Sequence, residues 1–371
     1  MKMRYSLSIM LALSGIASAD LQRFEVNNPS EVPLKSAIVQ LDVSQFDFKA
    51  EEYIVKDSSG NELVTQLDGT NLLFQSDFKA LEAVKFEITS GKSKADHGDR
   101  STFARLVPER ADDFAWENDY IAFRTYGPAL RESNEDSGID AWLKRVNYPI
   151  IDKWYKLHLE EKVSYHKDHG EGHDPYHVGK SRGTGGTAIV VGNDYLTSNT
   201  FTRSEVECNG PLRSRFTLFY EYDYKGGKVE EAKTITIDLG QHVFHSSSMF
   251  TQDGKPIDLT AAVGITTHDG KGQVSNDTSW MSVWESIKGA GPLGVGVVFS
   301  ENPEFDTVKV AARDESHIWG KLNTGADGKF DCYIGFGWVK ANTFKDKADW
   351  ENYLASFRAQ LEKPLEVKVL R

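Results

Sequence analysis

Cysteine is nearly absent: Cys208 and Cys332 are the only two in 371 residues. A disulfide framework is therefore excluded. In an oxidising compartment the two could form a single bridge, and their spacing is not a zinc-ligand pattern. Long apolar runs are missing too, since the N-terminal stretch Leu7–Leu13 is too short to span a bilayer. Cations are in deficit, with 43 Lys and Arg against 55 Asp and Glu and a formal net charge of −12. That balance disfavours nucleic acid and anionic membrane surfaces as partners, while leaving room for a local basic pocket that takes a small acidic ligand. No repeat, low-complexity tract or long linker occurs. The glycine-rich turn Gly183–Gly186 lacks Walker or dinucleotide spacing, which argues against nucleotide binding.

What is present begins with a secretory leader over 1–19. Lys2 and Arg4 form its basic start, and Ala17-Ser18-Ala19 is a small-residue cleavage site. The mature chain is expected to begin near Asp20 in the periplasm, with no cysteine after the cut to carry a lipid anchor. Losing two cations and no anion takes the charge from −12 to −14. About 350 residues then remain, ample for one large β domain or two smaller ones.

Residues 20–92 read as short strands broken by Ser58-Ser59-Gly60 and Asp68-Gly69, an N-terminal β-sandwich layer. Residues 93–371 form the main region, in all expectation continuous with that layer. Tyr120–Tyr126 alternates as a strand, with Arg124 on the face shared by Ala122 and Tyr126. Ile139–Glu161 is the best helical candidate before the end of the chain, although Pro149 divides it. From Ala188 onward strands and short turns follow without alternating helices, which predicts antiparallel sheets. Trp350, Tyr353, Leu354, Phe357 and Leu361 recur at helical spacing over Thr343–Leu361, and a last strand is expected at Leu365–Leu370.

The densest chemistry lies in Ser164–Thr187, which holds His166, His169, His173 and His177 among Asp168, Glu171, Asp174, Tyr165 and Tyr176. Spacings of three, four and four would align the histidines on a helix. Gly170, Gly172 and Pro175 oppose that helix, so the segment reads as an ordered loop of acid–base groups. His169, His173 and His177 with nearby carboxylates are the alternative reading, a site for zinc or a similar divalent ion. No cofactor is otherwise implied. Acid–base work would use a histidine as base and Tyr176, Tyr165 or a second histidine as proton donor. Arg124, Arg203 and Lys180 are candidates to bind a substrate carboxylate. His268 and His317 fall near strand ends, and Trp280, Trp284 and Trp319 could stack on sugar rings.

The blocks FAWENDYIAFRTYGPAL (114–130), SGIDAWLKRVNYPIIDKWY (137–155) and YHKDHGEGHDPYHVGKSRGTGG (165–186) resemble the signature blocks of a family of secreted bacterial domains. The family is found in polysaccharide-utilisation gene clusters and includes the oligosaccharide dehydratase of ulvan degradation. The resemblance implies a galactose-mutarotase-like supersandwich, a large antiparallel β-sandwich with a few helices. It also implies elimination on uronic-acid-containing oligosaccharides.

The expectation is thus a periplasmic carbon–oxygen lyase or dehydratase acting on an acidic oligosaccharide. His166 or His169 is the base, Tyr176 the proton donor, and Arg124, Arg203 and Lys180 surround the carboxylate. The rivals are a glycoside hydrolase using two of Asp168, Glu171 and Glu205, a non-catalytic carbohydrate-binding protein with Trp280 and Trp319 as platforms, and a mutarotase-like epimerase.

Overall fold

Alternation of period two writes most of this chain. In Arg213–Tyr224, residues Ser214, Phe216, Leu218, Tyr220, Tyr222 and Tyr224 are buried, while Glu221 and Asp223 face water. A pleated strand turns successive side chains to opposite faces, so this pattern seals one face of a sheet. The computed structural model describes residues 21–370 apart from 132, 311 and 313. The leader expected at 1–19 lies outside the described residues.

The largest sheet has nine antiparallel strands. It runs from Arg203–Asn209 at one edge, through Arg213–Tyr224, Gly227–Asp238, Val243–Gln252, Lys329–Trp338, Gly291–Phe299 and Trp280–Ile287, to Gln273–Asn276 at the other, with the short ninth strand Lys255–Pro256 paired beside Val243–Gln252. Two five-stranded sheets lie across the main core. One contains Phe103–Val107, Asp113–Glu117, Ala122–Thr125, Ile139–Lys144 and Gly172–His173. The other contains Gly186–Val191, Thr260–Thr266 and His317–Asn323. Phe114, Trp116, Phe123, Phe216, Tyr222, Phe244 and Phe336 fill the space between the sheets. At the N-terminus a five-stranded and a three-stranded sheet enclose their own core of Phe24, Phe74, Phe78, Phe86 and Ile88. The last strand, Glu366–Leu370, pairs with Leu21–Asn27 and joins the chain's end to its N-terminal layer.

The architecture is the mainly β, multi-sheet antiparallel fold expected, with two α-helices among the described residues: α1, Ile151–Leu159, and α2, Lys347–Glu362. Asp346 caps α2 by accepting the Asp349 N–H. Its Trp350 and Leu354 lie directly on Gly294 and Gly296, where an added Cβ would come within 2.4 and 2.7 Å of those side chains. Glycine there lets the helix touch the sheet.

One expectation needs correction. The helical candidate Ile139–Glu161, divided at Pro149, is helical only in its second part, Ile151–Leu159, and Ile139–Lys144 is a strand buried on both faces. Burial on both faces erases the polar alternation that marks a strand, and Trp142, Leu143 and Val146 then mimic a helical stripe. The two cysteines are free thiols. Their strands stand four positions apart in the nine-stranded sheet, roughly 19 Å at the usual interstrand spacing, far beyond disulfide reach.

Candidate active site

The histidine-rich segment begins beneath α1. The first turn of that helix is held from below by the buried carboxylate of Glu117, which accepts the Ile150 and Ile151 N–H groups at 2.8 Å each. Lys144 neutralises the same carboxylate at 2.7 Å. After α1 the chain turns through Ser164–Lys167, pairs Gly172–His173 with Leu143 and Lys144, and re-enters the core at Tyr176 and Val178. Pro175 separates two halves with different surroundings.

The first half closes over Arg124. Its guanidinium donates to Asp140 through Nε (3.1 Å) and Nη2 (2.7 Å), to Asp174 at 2.9 Å and to the Tyr165 hydroxyl at 3.1 Å. Trp142, Tyr126 and Tyr165 surround it with rings at 5.3–5.5 Å, and only 4% of its surface is exposed. Asp113 completes the cluster, paired with Arg110 at 3.1 Å. Burial pushes the Asp113 carboxyl up to about 6 against the opposing pull of Arg124 and Arg110. Burial and the neighbouring Asp140 charge hold Asp174 well above the usual carboxylate range. Three carboxyls thus face two guanidinium groups in a space closed to water. His166 sits at its mouth, more than half exposed, with Nδ1 3.0 Å from the Asp174 carbonyl and 3.3 Å from its carboxylate.

The second half borders a cleft of about 730 Å³, lined by Pro175, His177, His268, Gln273, Trp284 and Glu285 with Asp269, Lys271 and Lys288. His268 stands just after the strand Thr260–Thr266 with a left-handed backbone, φ +52°. Its Nδ1 lies 2.8 Å from Glu285 Oε2, and its Nε2 lies 2.9 Å from the His177 carbonyl. His177 places Nε2 2.8 Å from Asp314 Oδ1. The two imidazole rings are 6.2 Å apart, and Tyr176 packs its ring edge against His268 at 5.0 Å. The Tyr176 hydroxyl is buried without a hydrogen-bond partner among the described residues, and burial holds its proton far more tightly than usual. Gly179 (φ +55°) is required at this corner, because a Cβ would meet Asp314 Oδ2 at 2.3 Å and His177 Nε2 at 3.2 Å.

Of the residues expected from sequence, the structure brings His177, His268 and Tyr176 together. The others lie elsewhere. His169 is at the surface, with Nε2 3.1 Å from the Ser164 carbonyl. His173 is buried beside Trp338, and desolvation favours its neutral form. The trio His169, His173 and His177 is therefore not assembled, and among the described residues no group of three such ligands is arranged to hold a metal. Arg124 is sealed from solvent. Arg203 lies at the far edge of the large sheet, paired with Glu205 and stacked on Phe219. Lys180 is exposed and does not line the cleft, its backbone N–H 3.4 Å from Asp314 Oδ2. His317 is buried, accepts the Arg182 N–H at 3.0 Å and is pushed down to about 4 by burial and by the Arg182 charge. Trp319 stacks on Tyr195 at 4.0 Å, and Trp280 packs in the cluster under α2. Neither tryptophan offers an open platform, because each closes a protein contact.

Trp284, considered from sequence as a stacking platform, does line the cleft, whereas Glu285, Asp314, Lys271 and Lys288 were missed by sequence reasoning. They join the cleft from strands and loops about a hundred residues downstream of the histidine segment. The one local signal is the hairpin pair Trp284-Glu285, which puts an aromatic and a carboxylate on opposite faces of one strand.

The fold is shared with solved structures. One is a protein in glycosyl hydrolase family 38 from Enterococcus faecalis, with a TM-score of 0.51 at 10% identity over 95% of this chain. The chain spans about half of that protein, 48% of its length. A relative is the uncharacterized protein P7 of Formosa agariphila, 33% identical across 99% of this chain and 98% of its own. Residues 26–367 match the model described as "Domain of unknown function (DUF4861)", and on these two matches the chain belongs to that family.

Proposed function

We propose that this protein is a carbon–oxygen lyase of the dehydratase type, exported to the periplasm and acting on uronic-acid-containing oligosaccharides such as those of ulvan. The observation that carries this reading is the pair of imidazole–carboxylate dyads, His177–Asp314 and His268–Glu285, 6.2 Å apart beside one cleft. A carbohydrate-active neighbour in fold supports sugar handling in general.

The two dyads are primed differently. Glu285 and the His177 carbonyl both accept, so His268 fills both bonds only as the doubly protonated imidazolium. His177 donates Nε2–H to Asp314, which leaves the Nδ1 lone pair to act as a base. Elimination on a uronate then balances. His177 takes the proton on the carbon next to the carboxylate, and that C–H electron pair becomes the ring double bond. The bond from the adjacent carbon to oxygen breaks, and His268, letting go of the His177 carbonyl, gives its Nε2 proton to the departing oxygen, releasing water or an alcohol. The buried Tyr176 ring backs His268 and keeps water from that side. The negative carboxylate opposes carbanion formation, so the cleft must also supply a cation.

A hydrolase needs two carboxylates across the scissile bond. Asp168 is tied to Arg145, Glu171 to Lys153, Tyr148 and Trp154, and Glu205 to Arg203. None lines the cleft. Product mass after incubation with a panel of uronate oligosaccharides decides between the readings. Loss of one water, or cleavage with a new unsaturated ring, is expected. A product heavier by one water on cleavage would replace the lyase with a hydrolase.

A further inference from the structure

We propose that Lys288 recognises the substrate's carboxylate and gives the cleft its preference for an acidic over a neutral sugar ring. The inference rests on the cleft being the substrate site of the lyase proposed above.

The ionisable groups around the cleft are mostly taken up in pairs. His177 meets Asp314 at 2.8 Å, His268 meets Glu285 at 2.8 Å, and Lys271 meets Asp269 at 2.5 Å. Lys288 alone is left over: among the described residues lining the cleft it is the one cation with no acidic partner. An unpaired ammonium beside a cleft, in a chain of net charge −12, is a place where an anion gains attraction and loses none.

Its backbone is also fixed, unlike that of a lysine on a loose surface loop. Lys288 sits at the tip of the hairpin joining Trp280–Ile287 to Gly291–Phe299. The tip is tied down at two consecutive carbonyls: Lys340 Nζ donates to the Gly289 carbonyl at 2.8 Å, and Trp338 Nε1 donates to the Ala290 carbonyl at 3.0 Å. The Ala290 N–H closes the turn on the Ile287 carbonyl at 3.1 Å. Gly289 and Gly291 take the left-handed angles the turn requires, φ +87° and +84°. The flexible part is thus reduced to the side chain, which can swing from a rigid base toward the end of the cleft where Glu285, three residues earlier, holds His268. A charge-assisted hydrogen bond from this ammonium would bind the carboxylate and offset the charge that grows on it as the neighbouring proton leaves.

The test reads binding separately from turnover. In full-length His177→Ala protein, saturation-transfer NMR titrations with glucuronate and with glucose should show glucuronate binding about tenfold tighter, as one charge-assisted contact allows. Lys288→Gln in that background should abolish the preference, Lys288→Arg should keep it, and melting temperatures should stay unchanged because the side chain is exposed. A preference that survives Lys288→Gln, or no preference in the parent, overturns the assignment. If the preference depends on Lys288 while the wild-type protein forms no unsaturated product, the lyase reading fails and the anion site stands. If the wild type eliminates and Lys288→Gln still prefers glucuronate, the lyase stands and Lys288 is excluded.

Discussion

Two assemblies of the same residue types flank Pro175, and they differ in access to water. Around Arg124, three carboxyls, two guanidinium groups and three aromatic rings close on one another about a guanidinium that is only 4% exposed. Around His268, two dyads stand at the wall of an open cleft. Perturbed titration alone would favour the first, since buried carboxyls show the largest shifts there. Structural ion clusters perturb carboxyls as strongly as active sites do, so access has to decide. The sealed cluster anchors the histidine segment, and the open one is placed to do chemistry.

The sharpest way to break this contrast is Arg124→Met. Removing the guanidinium strands Asp140 and Asp174 in a dry core, and uncompensated buried charge costs about 3–5 kcal/mol. Calorimetry should show that loss together with loss of activity, whereas substitutions at His268, at the wall of the open cleft, should lower the melting temperature by less. Equal stability for Arg124→Met would mean that the cluster is not structural.

Next in size is the pH dependence of stability. Asp113 is pushed from an ordinary 3.8 up to about 6 when folded. A raised carboxyl contributes stability below its unfolded value and loses that contribution as pH rises through its folded value. The window is therefore about pH 4 to 6, and two units correspond to about 3 kcal/mol. Denaturant titrations across that window should show a downward slope with rising pH, flattened in Asp113→Asn. An unchanged slope in the variant would assign the proton elsewhere.

How far the sequence revealed these regions depends on locality. The β class, the C-terminal helix and the chemical density of Ser164–Thr187 were legible because each is written within a few turns of chain. The helix assigned to Ile139–Lys144 failed because a strand buried on both faces shows no alternation. Arg124 was expected to bind substrate because nothing local reveals that Asp140 and Asp174 take up its donors. The dyads were half visible: His177 and His268 were both noted, but Glu285 and Asp314 arrive from hairpins far along the chain. Trp319 and Trp280 illustrate the same limit, since stacking on Tyr195 or under α2 is a tertiary fact.

A smaller effect isolates the His177–Asp314 geometry. Gly179→Ala should displace Asp314, because its Cβ would stand 2.3 Å from Oδ2. Left-handed backbone at a non-glycine residue adds about 1–2 kcal/mol of strain. Steady-state assays should show kcat falling about tenfold with KM little changed. Unaltered kcat would remove Asp314 from the account. Smallest of all is His169→Ala, an exposed ring far from the cleft, for which activity and stability should both stay close to wild type.

The most direct measurement sets His268→Gln beside His166→Gln in one elimination assay on uronate oligosaccharides. His268 works from the open cleft and His166 caps the sealed cluster. Loss of about a hundredfold or more in kcat is expected for His268→Gln, with His166→Gln remaining within a few-fold of wild type. The reverse pattern, an inactive His166→Gln and an active His268→Gln, would contradict the account and move the chemistry to the mouth of the Arg124 cluster.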